Sequence, residues 1–138
     1  MTLQWREQLS VGNDLIDSDH RHLIEIINRA EASLKTNRRA ELAAVLDELA
    51  RYGKTHFDRE ERVAKAAGYP KSDQLHVSHD QLIEILEKFR ESTDETWPED
   101  AVARFTTFLR DWFINHVIME DLLMKPWLVK LSPSFIPG

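Results

Sequence analysis

The chain of 138 residues contains no cysteine. Disulfides, thiolate metal sites, iron–sulfur clusters and a cysteine nucleophile are therefore excluded. Glycine and proline are scarce, at four and five residues, so few positions can interrupt a helix. No apolar run approaches the roughly 20 residues of a membrane span. The opening MTLQWREQLSVGND lacks the apolar stretch of a signal peptide. Basic residues are in the minority, 18 against 24 acidic, for a net charge of −6. That balance argues against binding a phosphate backbone, which needs clustered Lys and Arg. Internal repeats and low-complexity tracts are missing as well. What is present is 42% hydrophobic and 30% charged, the balance of a globular chain long enough for one sizeable core. The expectation is a soluble, cytoplasmic protein with no membrane or nucleic-acid partner.

Apolar residues recur at helical spacing in four segments. Residues 1–16 read as a non-helical arm carrying Trp5, Leu9 and Val11. The first helix is predicted from about Ser18 to Lys35, with Ile16, His20, Leu23, Ile24, Ile27 and Leu34 on one face and Asp17 or Ser18 as N-cap. The second runs from about Arg38 to Ala67, with Asn37 as a possible cap. Its stripe is Leu42, Val45, Leu46, Leu49, Tyr52, His56, Glu60 and Val63. Gly68 is placed to end it in a left-handed conformation, and Pro70 bars continuation. A third helix is expected from Ser72 or Asp73 to Glu91, then a loop over 92–98. The fourth spans about Glu99 to Leu123, with Val102, Phe105, Leu109, Trp112, His116 and Met119 inward. Short connections imply an all-α, antiparallel up-down-up-down four-helix bundle. The organisation is thus one domain over 1–138: an arm (1–16), a bundle (about 17–123) and a short apolar C-terminal tail (about 124–138). So apolar a tail should pack on the bundle or make a homo-oligomer contact.

The histidines carry the chemistry. There are six, and five recur beside carboxylates: Asp17-Ser18-Asp19-His20, His56-x-x-x-Glu60, His76-x-x-His79-Asp80 and His116-x-x-x-x-Asp121. Each cluster lies in a different helical segment. Imidazoles and carboxylates converging from four helices form a metal site inside a bundle. His56 and Glu60, four apart, are separated by about 40° around the helix axis and can point at one spot. Alone, such a pair is commonly solvated, but this one lies on an apolar stripe, where an unpartnered carboxylate is costly. His20 faces the core, where a lone histidine is more often a satisfied packing residue. His22, about 200° away from it, should be exposed. Tyr52 reads as core packing with its hydroxyl bonded locally. Asp121 lies about 140° from His116 on an ideal helix, an awkward angle, and Glu120 is better placed. Either the helix loosens there as a π-bulge, or Asp121 reaches in near its end. Otherwise the two carboxylates are an ordinary exposed pair.

Taken together, these motifs resemble the bacterial hemerythrins over nearly the whole chain. The similarity is carried by Trp5-x-x-x-Leu9-Ser10-Val11-Gly12 leading into Ile16-Asp17-x-x-His20, by His56-Phe57-x-x-Glu60-Glu61, by Gly68-Tyr69-Pro70, and by Trp112-x-x-x-His116-x-x-x-x-Asp121. The resemblance implies two non-haem iron ions with a bridging oxygen species, binding dioxygen reversibly. His20 and His56 match ligands of one iron and His116 a ligand of the other. Glu60 and Asp121 match the bridging carboxylates. The chain departs from the pattern in the third helix, where two histidines four apart are usual. His79 fits the second position, but Leu75 stands at the first and His76 one residue later, a turn of about 100°. Three outcomes are open. His76 reaches the metal, since i and i+3 can share a face; the helix is re-registered and Asp80 substitutes; or the position is left to solvent. The expected metal ligands are His20, His56, Glu60, His76, His79, His116 and Asp121.

Imidazole-rich coordination supplies less negative charge than carboxylate-rich coordination and favours binding dioxygen over further oxidase chemistry. Ile24, Trp112, Val117, Ile118 and Leu82 or Ile83 are expected to wall the site, and the same residues would serve as plain core without a metal. The expected function is oxygen storage, delivery or sensing, without enzymatic activity. The alternative is a di-iron enzyme acting on peroxide, nitric oxide or ferrous iron, favoured if the shifted His76 leaves an open coordination position. A bundle holding zinc ranks below both, because zinc prefers four ligands.

Overall fold

A computed structural model describes residues 2–137. Its long helices are α1 (Asp14–Lys35), α2 (Arg39–Ala66), α3 (Ser72–Thr93) and α4 (Ala101–Met119). A 3-10 turn, Glu7–Leu9, precedes them. A second 3-10 turn, Asp121–Met124, and the one-turn α5 (Lys125–Leu128) follow. Helix α1 packs on α2 and α4, and α2 packs on α3. The order around the bundle is therefore α3–α2–α1–α4, with the α3–α4 seam closing the circle. This is the expected all-α, antiparallel four-helix bundle. No helix among the described residues is long and apolar enough to cross a membrane.

Helix α1 starts four residues earlier than the pattern predicts. Asn13, not Asp17 or Ser18, is its N-cap, and its side chain accepts from the Ile16 N–H at 3.1 Å. Asp17 has another task. It accepts from the Ser10 hydroxyl at 2.5 Å and the Val11 N–H at 3.0 Å, and so fastens the arm to the helix. Two helix ends are closed by the same hydrogen-bonded turn. After α1, Asn37 takes φ 53° while Arg38 N–H donates to Ser33 C=O at 2.9 Å. After α2, Gly68 takes φ 78° while Tyr69 N–H donates to Ala64 C=O at 2.9 Å. A left-handed residue is needed at that position, and Asn and Gly tolerate it best. Asn37 thus ends α1 and does not cap α2, whose N-cap is Arg38.

Two apolar clusters fill the interior. The larger holds Leu23, Ile27, Leu42, Leu49, Leu86, Leu109, Trp112 and Phe113, each large aliphatic contributing about 1.5–3 kcal/mol of burial. The smaller sits at the other end and joins Val11, Ile16, Val63, Tyr69, Leu75, Met124 and Leu128. The tail therefore docks on its own bundle. Asp14 N–H donates to Pro133 C=O at 2.8 Å, and the Asn13 amide to Phe135 C=O at 3.1 Å. The functional side chains lie between these two clusters.

Candidate metal centre

Helices α1 and α2 supply one half of the centre. His20, His56 and Glu60 are all buried. The Nε2 atoms of His20 and His56 lie 3.3 and 3.0 Å from Glu60 Oε2. His56 is held from behind, where its Nδ1 meets Asp19 Oδ2 at 3.0 Å. Asp19 also accepts from Arg59 at 2.8 and 2.6 Å and from the Tyr52 hydroxyl at 2.6 Å. Burial alone would raise the Asp19 carboxyl; the hydrogen bonds from His56, Arg59 and Tyr52 outweigh it and hold the group well below the usual carboxylate range. The Tyr52 hydroxyl thus bonds across to α1 and not locally. His22 is half-exposed, with its ring against Tyr52.

Helices α3 and α4 supply the other half. His79 Nε2 lies 3.0 Å from Glu60 Oε1 and 3.1 Å from His116 Nε2. The awkward spacing of His116 and Asp121 is resolved by ending the helix. Helix α4 stops at Met119, Glu120 breaks the backbone at φ −128°, ψ −55°, and Asp121 opens the 3-10 turn. There is no π-bulge. Freed from helical register, Asp121 turns inward until its Oδ1 is 2.9 Å from His116 Nε2 and its Oδ2 is 3.1 Å from His20 Nε2. Glu120 stays outside and supports His116, accepting at Nδ1 (2.6 Å) and from the Ser78 hydroxyl (2.5 Å). Glu61 does the same for His79 Nδ1 at 2.8 Å.

Glu60 and Asp121 each offer one oxygen to each half. Two donor groups result, His20–His56–Glu60–Asp121 and Glu60–His79–His116–Asp121, and within each the ligand atoms lie within 4.8 Å of one another. His56 Nε2 and both Asp121 oxygens are buried without a hydrogen bond. Their neighbours are near enough but not aligned for one. Buried carboxylate oxygens left in that condition are costly, and a cation at the convergence point removes the cost. The donors also lean on each other electrostatically. Burial would lower His20, but Asp121 and Glu60 raise it to about 9. His116 is pushed up to about 12 against the same burial effect, by Asp121, Glu120 and Glu60. Glu60 is held well below the usual range by His56, His116 and His20, although burial opposes this. Mixed imidazole and carboxylate donors suit iron, manganese or zinc, so the residues present fit a pair of such ions.

His76 is not brought to this cluster. It is 59% exposed, with Nδ1 on Glu61 at 2.6 Å and Nε2 on Asp80 at 3.4 Å. Asp80 is exposed too, and Leu75 is buried in the smaller apolar cluster. On α3 only His79 faces the donor groups. The inner wall of the centre is Leu23, Phe57, Trp112, Phe113 and Val117, which leave about 10 Å3 of open space beside His20, His56, His116 and Asp121. Trp112 and Val117 were expected there. Leu23, Phe57 and Phe113 were not, although Phe57 stacks on His79 with ring centroids 4.1 Å apart. Ile118 and Met119 turn out to solvent, Met119 being 69% exposed. The buried face of α4 runs through Leu109, Trp112, Phe113, His116 and Val117, which puts positions 118 and 119 on its far side. The supporting carboxylates Asp19, Glu61 and Glu120 were each visible as acids beside the histidine motifs, but their roles depend on which helix faces which.

Known proteins resemble the chain in sequence and in fold. Residues 11–128 match the family model described as the hemerythrin HHE cation binding domain. The chain is similar to the bacteriohemerythrin of Stenotrophomonas maltophilia (strain R551-3), at 31% identity over 119 residues, covering 86% of this chain and 76% of the relative. Another bacteriohemerythrin, from Clostridium acetobutylicum, is 26% identical over 121 residues, with 85% and 94% covered. Among solved structures, a wild-type hemerythrin superposes with a TM-score of 0.80 at 24% identity, over 94% of this chain and 99% of that one.

Proposed function

The chain belongs to the hemerythrin family, and from that premise we propose that it binds dioxygen reversibly at a non-haem di-iron centre held by His20, His56, Glu60, His79, His116 and Asp121. The observation that carries this reading is the sharing of Glu60 and Asp121 between two donor groups. A single ion would need only one group, whereas two carboxylates splitting their oxygens between two imidazole pairs fit two ions side by side. The iron pair, when present, supplies the electrons and the open coordination position that dioxygen requires.

The protein supplies the rest. Asp19, Glu61 and Glu120 fix the Nδ1 side of His56, His79 and His116, so that each Nε2 is presented inward. Such outer carboxylates set the tautomer and raise the basicity of the ligand nitrogen. Arg59 neutralises Asp19, whereas among the described residues Glu61 and Glu120 meet only His76, His79, His116 and Ser78. Leu23, Phe57, Trp112, Phe113 and Val117 exclude water. The remaining space of about 10 Å3 is near the lower limit for one water molecule. It excludes an organic substrate. Four imidazoles to two carboxylates and a dry, tight wall favour a binding protein over an enzyme. The exposed His76 is the one observation that favours the second reading, a di-iron enzyme acting on peroxide, nitric oxide or ferrous iron. We read residues 1–138 as one cytoplasmic domain serving storage, delivery or sensing.

Four donors per group would also satisfy four-coordinate zinc, so metal identity is the decisive test. Two irons per chain, with a visible spectrum that appears in air and vanishes on deoxygenation, are expected. Fewer than two irons, zinc in their place, irreversible oxidation, or steady turnover of peroxide or nitric oxide would overturn the reading.

A further inference from the structure

Outside the centre, a groove of about 430 Å3 runs along the α3–α4 seam. Its floor is apolar, with Leu82, Ile85, Phe108 and Met119, and its rim carries Asp111 and Glu120. The small cavity beside the donor groups lies behind it. Groove and cavity have two lining residues in common, Trp112 and His116. These two side chains are the partition between solvent and the centre.

They are not equally fixed. His116 is tied at both ring nitrogens, Nδ1 to Glu120 at 2.6 Å and Nε2 beside Asp121 at 2.9 Å. Trp112 is tied by one hydrogen bond, from its indole N–H to Leu82 C=O at 2.9 Å. That bond reaches from α4 to α3 across the seam. The far edge of the indole points at α2, where residue 53 is glycine. A Cβ there would stand 3.7 Å from Trp112 Cη2 and 3.8 Å from Ile83 Cδ1. Glycine inside a helix costs about 1 kcal/mol against alanine, and here it leaves the ring space to move.

We infer that Trp112 is the gate through which dioxygen reaches the centre, entering by the α3–α4 groove. The choice of visitor depends on the function proposed above; the position of the gate does not. An apolar floor suits a neutral diatomic molecule, and the two rim carboxylates disfavour anions. Opening requires the indole to leave Leu82 and swing toward Gly53, with His116 staying in place.

Two variants move the gate in opposite directions. Trp112→Phe removes the hydrogen bond and part of the ring; Gly53→Ala fills the space that the ring uses, at ordinary contact distance. Stopped-flow mixing of the ferrous protein with dioxygen gives uptake and release rates. Trp112→Phe should raise both, on the order of fivefold for one hydrogen bond. Gly53→Ala should lower both. Unchanged rates in both variants overturn the gate. So does a change in the release rate alone, which would make Trp112 a part of the binding site only. A faster Phe57→Leu variant beside an unaltered Trp112→Phe would place the route on the α2–α3 face. If the wild type takes up no dioxygen reversibly, the proposed function fails, and the gate is then decided in metal-loaded protein by xenon exchange and by hydrogen exchange at the Trp112 indole N–H. Faster xenon exchange in Trp112→Phe, and slower exchange of both xenon and the Trp112 indole N–H in Gly53→Ala, support it; equal xenon exchange in all three proteins refutes it.

Discussion

Loading the centre with metal should expel protons, and the number follows from the site. His20 is raised to about 9 and His116 to about 12. His56 is raised as well: burial opposes this, but Glu60 and Asp19 prevail. At pH 7 the metal-free protein therefore holds His20 and His116 largely protonated against Glu60 and Asp121. A metal accepts only neutral imidazole, so binding releases about two protons per chain. Each proton released makes affinity tenfold tighter per pH unit, so one unit upward from pH 6.5 should tighten binding by about 100-fold. Calorimetric titration with ferrous iron or zinc, in buffers of different ionisation enthalpy, counts the protons directly. Release of less than one proton, or an affinity flat between pH 6 and 8, would refute the electrostatic account. The same shifts fix how the metal-free fold responds to pH. A raised imidazole contributes stability that is complete below its unfolded value of 6.5 and is lost as pH rises through the folded value. For His20, with a folded value of about 9, that contribution is on the order of 3 kcal/mol. The metal-free protein should melt at progressively lower temperature between pH 7 and 10, and a rising melting temperature would contradict the assignment.

Three substitutions test the parts of the centre. Glu60→Ala removes an oxygen from both donor groups and should leave fewer than two irons per chain by metal analysis; retention of both would rule out a shared carboxylate. Asp19→Asn takes the charge from Arg59 and the strongest acceptor from His56, so metal competition should show affinity weakened about 10- to 100-fold, and unchanged affinity would mean that Asp19 only packs. His76→Ala should keep its irons and its spectrum, with stability unchanged, as exposed substitutions do; loss of iron would return His76 to the ligand set.

Much of this was legible from the sequence because helical period and turn residues are local. The four helices, the Gly68 stop and the inward faces of His20, His56, Glu60 and His116 all follow from spacing, whereas His79 is placed by the resemblance. The arm was harder to read. Asn13 caps α1 through the local Ile16 N–H, but its own amide and the next N–H are satisfied by the Phe135 and Pro133 carbonyls, contacts more than a hundred residues distant. Asp121 could not be placed from register, since the break at Glu120 removes it from the helix whose angles would have predicted its direction. His76 was drawn toward the centre by a motif a residue out of step. In space, the 100° turn gives it to solvent and leaves Glu61 to connect it with His79. Asp19 is adjacent in sequence to a donor of α1 yet serves His56 of α2, and only the packing of the two helices shows that.

The break at Glu120 ties together two events at opposite ends of the chain. Asp121 belongs to the 3-10 turn that leads directly into Met124 and Leu128, which bury themselves beside Val11 and Ile16. The arm, the tail and the last carboxylate of the centre therefore share one docked state. Linkage then works in both directions: whatever tightens the docked tail tightens the metal, and whatever fills the centre fastens the tail by the same free energy. Filling of the proposed metal centre should in this way be legible on the outer surface of the protein, in how firmly its C-terminal turn is held against a protease that never enters the bundle.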